Sequence, residues 1–147
     1  MKIAFGCDHK GFMLKKALID RMTEMGHEVI DVGCYSEERV DYPEYGEKAA
    51  RLVASGECRF AILVCGTGYG ISLAANQIPG IRAVNCSDTY TATLTRSHNN
   101  ANILSLGSMV VGEGLALQIM EAFLNTGFDG GRHSVRLEMV ESIRKNG

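Results

Sequence analysis

The run AILVCGTGYGISLAAN, residues 61–76, ends an apolar strand on a thiol, Cys65, and sets it against Gly66, Gly68, Gly70 and the hydroxyl of Thr67. Glycines let the backbone approach a ligand and leave N–H groups open at a helix start, where partial positive charge favours a thiolate. A thiolate beside such a nest is a base or a nucleophile, and Thr67 can pass a proton to or from an oxygen on which charge develops. A cysteine at a strand end is in other settings a small buried hydrophobe, and that reading is kept for Cys58 and Cys86.

Four further clusters carry polar groups that packing does not demand. In GCDHKG, Asp8 either caps the helix that follows or joins His9 in holding a sugar or phosphate. In RSHNNAN, Asn100 and Asn102 suit turns, whereas His98 and Asn99 are expected at a ligand-facing edge. Arg132 and Arg136 in GGRHSVR stand four apart, so they share a face if a helix begins there, as phosphate ligands or as a solvated surface. Tyr42 in VDYPEY is a candidate only through its place in a loop. A dinucleotide fingerprint does not fit: GTGYG is followed by Ile71 where the third glycine is needed, although Asp88 lies 20 residues after Gly68. No triphosphate-binding lysine motif occurs, so a small phosphorylated molecule is the better ligand.

Five apolar runs, 2–6, 28–33, 60–65, 81–86 and 102–107, are expected to be the strands that position these groups. Between the first two, Phe12, Leu14, Ala17, Leu18, Met22 and Met25 follow a helical spacing, which predicts solvated Lys15, Lys16, Asp20 and Arg21 on the other side. Pro43 suits the first turn of a helix over 43–56. Strand and helix in alternation imply a parallel sheet covered on both faces, with ligands outside the carboxyl ends of the strands. Near the end, the glycines of TGFDGGRHSVR break the last long helix before a short final one, which is expected to pack on a partner subunit.

The 147 residues, 46% hydrophobic, suit one domain over 1–147. A net charge of −2 gives no reason to expect nucleic acid or an anionic membrane as partner. Five cysteines without a C-x-x-C pair favour neither a disulfide framework nor a zinc site and point to a reducing, cytoplasmic setting. No apolar window is long enough for a signal core or a membrane span.

Taken in order, DHKGF, DYPEY, CGTGYGISLAAN, GIRA, SHNNAN and GGRHSVR resemble the type B ribose-5-phosphate isomerase family, which includes galactose-6-phosphate and allose-6-phosphate isomerases, over residues 3 to 136. The resemblance implies a Rossmann-like three-layer α/β/α domain and a homodimer or homotetramer with active sites shared between subunits. It implies no metal and no organic cofactor. Cys65 would be the base that moves a proton between carbons through an enediolate, Thr67 would assist at oxygen, and His98 with Asp8 would open the sugar ring. Asn99 and the backbone of Gly66, Gly68 and Gly70 would hold the enediolate oxygens. His9 would grip the phosphate together with Arg132 and Arg136 of the neighbouring subunit, and Tyr42 would line the sugar site.

Three positions depart from the family pattern: Met109 stands where many members carry Arg, Asn100 where ribose-5-phosphate members commonly carry Asp, and Gln77 where Lys is frequent. The implied reaction is ribose 5-phosphate to ribulose 5-phosphate in the pentose phosphate pathway. A hexose 6-phosphate substrate is the second choice, and a non-catalytic sugar-phosphate-binding module the rival from another class. A hydrolase using Cys65 as covalent nucleophile is weaker, since such a thiol needs a base oriented on it.

Overall fold

A computed structural model describes all of residues 1–147. Strands β1 (Lys2–Cys7), β2 (Glu28–Asp31), β3 (Phe60–Cys65), β4 (Ala83–Asn85) and β5 (Ile103–Gly107) form one sheet in the order β2-β1-β3-β5-β4. Every pairing is parallel. The intervening helices are α1 (Phe12–Glu24), α2 (Tyr42–Ala54), α3 (Tyr69–Ala75), α4 (Thr89–Ser97) and α5 (Glu113–Leu124), followed by α6 (Arg132–Asn146).

Alternation along the strands divides the core into two halves. Ile3, Phe5, Ile62, Val64, Leu104 and Leu106 face Leu18 and Met22 of α1 and Ile119, Met120 and Phe123 of α5. Ala4, Ala61, Leu63, Cys65 and Ile103 point the other way, against Ala49, Ala50 and Val53 of α2 and Ile71 and Ala75 of α3. Both faces are apolar because both are covered, which is the condition a parallel sheet requires. The result is three layers with β3 at the centre.

Three details differ from the sequence expectation. Lys15, expected in solvent, is 1% exposed. Its ammonium donates to Asp31 Oδ1 at 2.6 Å and to the Cys34 carbonyl at 2.7 Å, so the charge is buried with a carboxylate and a carbonyl to meet it. Strand β4 covers only three residues because the Arg82 N–H goes to the Asn102 side chain at 2.8 Å instead of a ladder. The final helix is not short: α6 has 15 residues, more than any other helix here, and of these only His133 is buried.

Candidate active site

Strands β1 and β3 lie side by side, but the chain leaves β1 for β2 on one side and β3 for β4 and β5 on the other. The segments following β1 and β3 therefore diverge and leave a crevice at their carboxyl ends, the usual ligand position in an open parallel sheet. A cleft of about 500 Å³ occupies this point, lined by Asp8, His9, Tyr42, Cys65, Gly66, Thr67 and Gly70 among others. Lys10, Arg39, Val40, Asp41 and Met109 complete the wall. A second hollow of about 450 Å³ at the amino ends carries Lys2, Arg59 and Arg82 but none of the expected catalytic groups.

The turn between β3 and α3 is held by its carbonyls. Ser108 N–H donates to Cys65 O at 2.9 Å, Met109 N–H to Gly66 O at 3.0 Å, and the Asn85 side-chain amide to Thr67 O at 2.9 Å. The amide hydrogens of Gly66, Thr67 and Gly70 meet no acceptor within the chain, so three donors on the cleft wall are free for a ligand oxygen. Gly68 N–H is spent differently, donating to Cys65 Sγ at 3.1 Å. Cys65 is 4% exposed and lines the cleft wall, with an amide hydrogen already facing its sulfur.

Two glycines of this turn are required by contact. Gly68 has φ +87°, and a Cβ there would stand 2.7 Å from Asn85 Oδ1 and 2.9 Å from the Leu106 carbonyl carbon. At Gly70 a Cβ would meet the Tyr42 ring at 2.7 Å, so the ring lies directly on the turn. Asn85, absent from the sequence expectation, thus ties the loop to β4; its Oδ1 is buried without a donor, a cost accepted beside the site.

Asp8 serves the turn into α1: its Oδ1 accepts from Lys10 N–H at 3.0 Å and Gly11 N–H at 3.2 Å. His9 Nδ1 accepts from Val40 N–H at 3.2 Å, which in the neutral ring leaves the proton on Nε2 as a donor. Thr67 is exposed and its Oγ1 accepts from Tyr69 N–H at 3.2 Å. Asp88, the one acid at ribose-binding distance in sequence, caps α4 by accepting from Thr91 N–H at 2.7 Å.

His98, Asn99, Arg132 and Arg136 do not line this cleft. The expectation that His98 and Asn99 face the ligand edge of their own sheet is corrected by α4, which carries the chain back before β5 begins. A residue that precedes a parallel strand lies at its amino end, across the sheet from Cys65. Asn100 and Asn102 are structural there: Asn100, at φ +48°, accepts from Arg96 Nη1 at 3.0 Å, and Asn102 donates to Gly80 O at 2.9 Å. His98 stacks on His133 of α6 with ring centroids 4.2 Å apart and planes 10° off parallel. Burial first, then His98, Arg132 and Arg136, hold His133 below the usual imidazole range. Ligating atoms of His98, Asp129 and His133 lie within 4.8 Å of one another, yet stacked rings keep their lone pairs in separate planes and do not converge on one ion. Arg132 and Arg136 are exposed on α6, which does begin at Arg132, so they share a face.

An open parallel α/β sheet with a thiol and free backbone amides at its switch point defines a protein that binds and acts on a small anionic molecule. The chain belongs to the ribose/galactose isomerase family, which it matches over residues 3–140. It is 52% identical to ribose-5-phosphate isomerase B of Escherichia coli over 144 residues, 98% of this chain and 97% of that one. Its fold superposes on ribose-5-phosphate isomerase B of Clostridium thermocellum with a TM-score of 0.98 at 50% identity, covering 99% of each chain. The Mycoplasma genitalium ribose-5-phosphate isomerase B with bound ribulose 5-phosphate matches at TM-score 0.93 and 33% identity, over 99% of this chain and 97% of that one.

Proposed function

We propose that the protein interconverts ribose 5-phosphate and ribulose 5-phosphate, with the cleft after β1 and β3 as the catalytic half of its site. Removing a proton from a carbon beside a carbonyl is slow in water because the resulting charge is poorly stabilised. Donors fixed around the oxygen lower that barrier. Here Cys65 takes the proton from C2 of the aldose and returns it to C1, while the free amides of Gly66, Thr67 and Gly70 receive the enediolate oxygens. Thr67 Oγ moves the proton between oxygens, Tyr42 lines the sugar, and His9 Nε2–H donates to the phosphate. The observation that carries this reading is a thiol on the cleft wall beside three unengaged amide hydrogens.

Ring opening by His98 with Asp8, enediolate support by Asn99 and phosphate binding by Arg132 and Arg136 then require a second copy of the chain, because His98, Asn99, Arg132 and Arg136, unlike Asp8, stand away from the Cys65 of their own protomer. Helix α6 supports such an assembly: Val135, Met139 and Ile143, each four apart, are exposed along one face with Val140 beside them. We read the protein as a homodimer, or a pair of dimers, working in the cytoplasm as one domain on a small phosphorylated sugar; no helix is long and apolar enough to cross a membrane.

The test is isomerisation in deuterated water. The wild-type protein incorporates label at the carbon beside the carbonyl, and Cys65→Ala loses turnover by about 10²-fold or more while KM moves little, since a positioned base acts in the transition state. Near-normal turnover in that variant refutes the base assignment, and binding without label refutes catalysis. Specificity constants for ribose 5-phosphate, allose 6-phosphate and galactose 6-phosphate decide the sugar, with ribose expected to be the largest.

A further inference from the structure

We infer that Lys10 is a substrate-binding cation of this cleft and that it holds the phosphate beside His9. The inference rests on the sugar-phosphate reading of the site. Within the protomer the expected phosphate ligand is His9 alone, neutral or singly charged, whereas Arg132 and Arg136 lie outside the cleft. A phosphomonoester carries close to two negative charges at neutral pH, so it needs a full, unspent positive charge on the same wall.

Lys10 meets that need on three counts. It lines the cleft beside His9. Its backbone is fixed, because Lys10 N–H donates to Asp8 Oδ1 at 3.0 Å. Its ammonium forms no ion pair, unlike Lys2, Lys15 and Lys48, although Glu37 and Glu113 line the neighbouring hollow that it also borders. The stem lies over Gly66: a Cβ there would meet Lys10 Cδ at 3.1 Å and Met109 Sδ at 3.2 Å, with Lys10 Nζ at 3.9 Å.

Lys10 and Met109 therefore share the ground above one glycine of the thiol-bearing turn. The thioether at 109 carries no charge, so Lys10 alone brings charge to that spot. The other cleft cation, Arg39, enters from a segment that has neither helix nor strand. A side chain at 109 long enough to carry charge would reach the same place, which makes the two positions interchangeable donors of a single cation.

The prediction is read from the intact protein as KM for ribose 5-phosphate, kcat, and the inhibition constant of inorganic phosphate. Lys10→Met raises KM and the phosphate constant about tenfold to a hundredfold, the loss of one charge-assisted contact, and leaves kcat within a few-fold. Lys10→Arg retains most of the affinity, and Met109→Arg placed in the Lys10→Met protein restores it. Lys16→Met, which removes an exposed charge on α1, leaves both constants unchanged. Unchanged constants in Lys10→Met, an equal loss in Lys16→Met, or no recovery in the double variant overturns the inference. If the wild-type protein does not turn over ribose 5-phosphate, the reading of the function fails, and phosphate binding by calorimetry still decides Lys10. A tenfold weaker constant in Lys10→Met then upholds it, and an equal one refutes it.

Discussion

Replacing Lys15 by Met tests whether a charged group buried between α1 and the end of β2 stabilises the fold. The side chain is 1% exposed and its ammonium donates to Asp31 Oδ1 at 2.6 Å and to Cys34 O at 2.7 Å. Met keeps the length and the apolar stem but removes both donors. Each lost charge-assisted bond is worth about 1.5–3 kcal/mol. Asp31 is 33% exposed and keeps the Gly33 N–H at 2.9 Å, so water recovers part of its loss, whereas the Cys34 carbonyl loses a buried partner. The net cost is about 2–4 kcal/mol, below the limit for breaking a fully buried pair. For a chain of this size that lowers Tm by about 5–15 °C. Urea unfolding followed by circular dichroism measures it, and Asp31→Asn added to Lys15→Met is expected to cost less than the two changes summed. A loss under about 1 kcal/mol, or strict additivity, would mean that the ammonium contributes little and that the contact geometry is no guide to its energy.

Gly68→Ala forces a side chain into the left-handed region and against the Leu106 carbonyl carbon; it should cost about 1–3 kcal/mol in urea unfolding and reduce kcat by displacing the donor to Cys65 Sγ. Wild-type stability and turnover in that variant would show that the turn yields freely. His133 is held below the ordinary imidazole value, so on acidification the unfolded chain takes up its proton before the folded one. Stability is therefore lost as pH falls below about 6.5. His133→Asn should flatten the slope in that range, and an unchanged slope excludes His133 as its source. Cys7 shows the opposite sign: burial, outweighing the nearby Lys15, pushes its thiol up to about 12. The folded state thus keeps a proton that the unfolded state loses, and stability should fall above about pH 9, less so in Cys7→Ala.

Much of this architecture is written locally. The runs at 2–6, 60–65 and 102–107 are apolar at nearly every position, Lys2, Asn102 and Ser105 apart, because their strands are covered on both faces, and that continuity is visible without coordinates. The rule that ligands gather at the carboxyl ends of parallel strands then suffices to bring Asp8, His9 and Cys65 to one place. Lys15 was illegible because helical spacing counts lysine as a solvent residue, and the partner that justifies its burial, Asp31, lies on another element 16 residues away. Asn85 had no local signal, since its contact with Thr67 exists only once β4 and the turn after β3 are in register. The side on which His98 falls follows from chain order alone: a group that comes before a parallel strand cannot lie where the groups that come after it lie.

The return path of α4 has a consequence for the economy of the molecule. On the proposed reading, each protomer carries at one rim a socket that its own His98 never visits, and at the opposite rim a key cut for another copy's lock. On that reading, dilution below the association threshold would silence the protein by parting the two halves of each site.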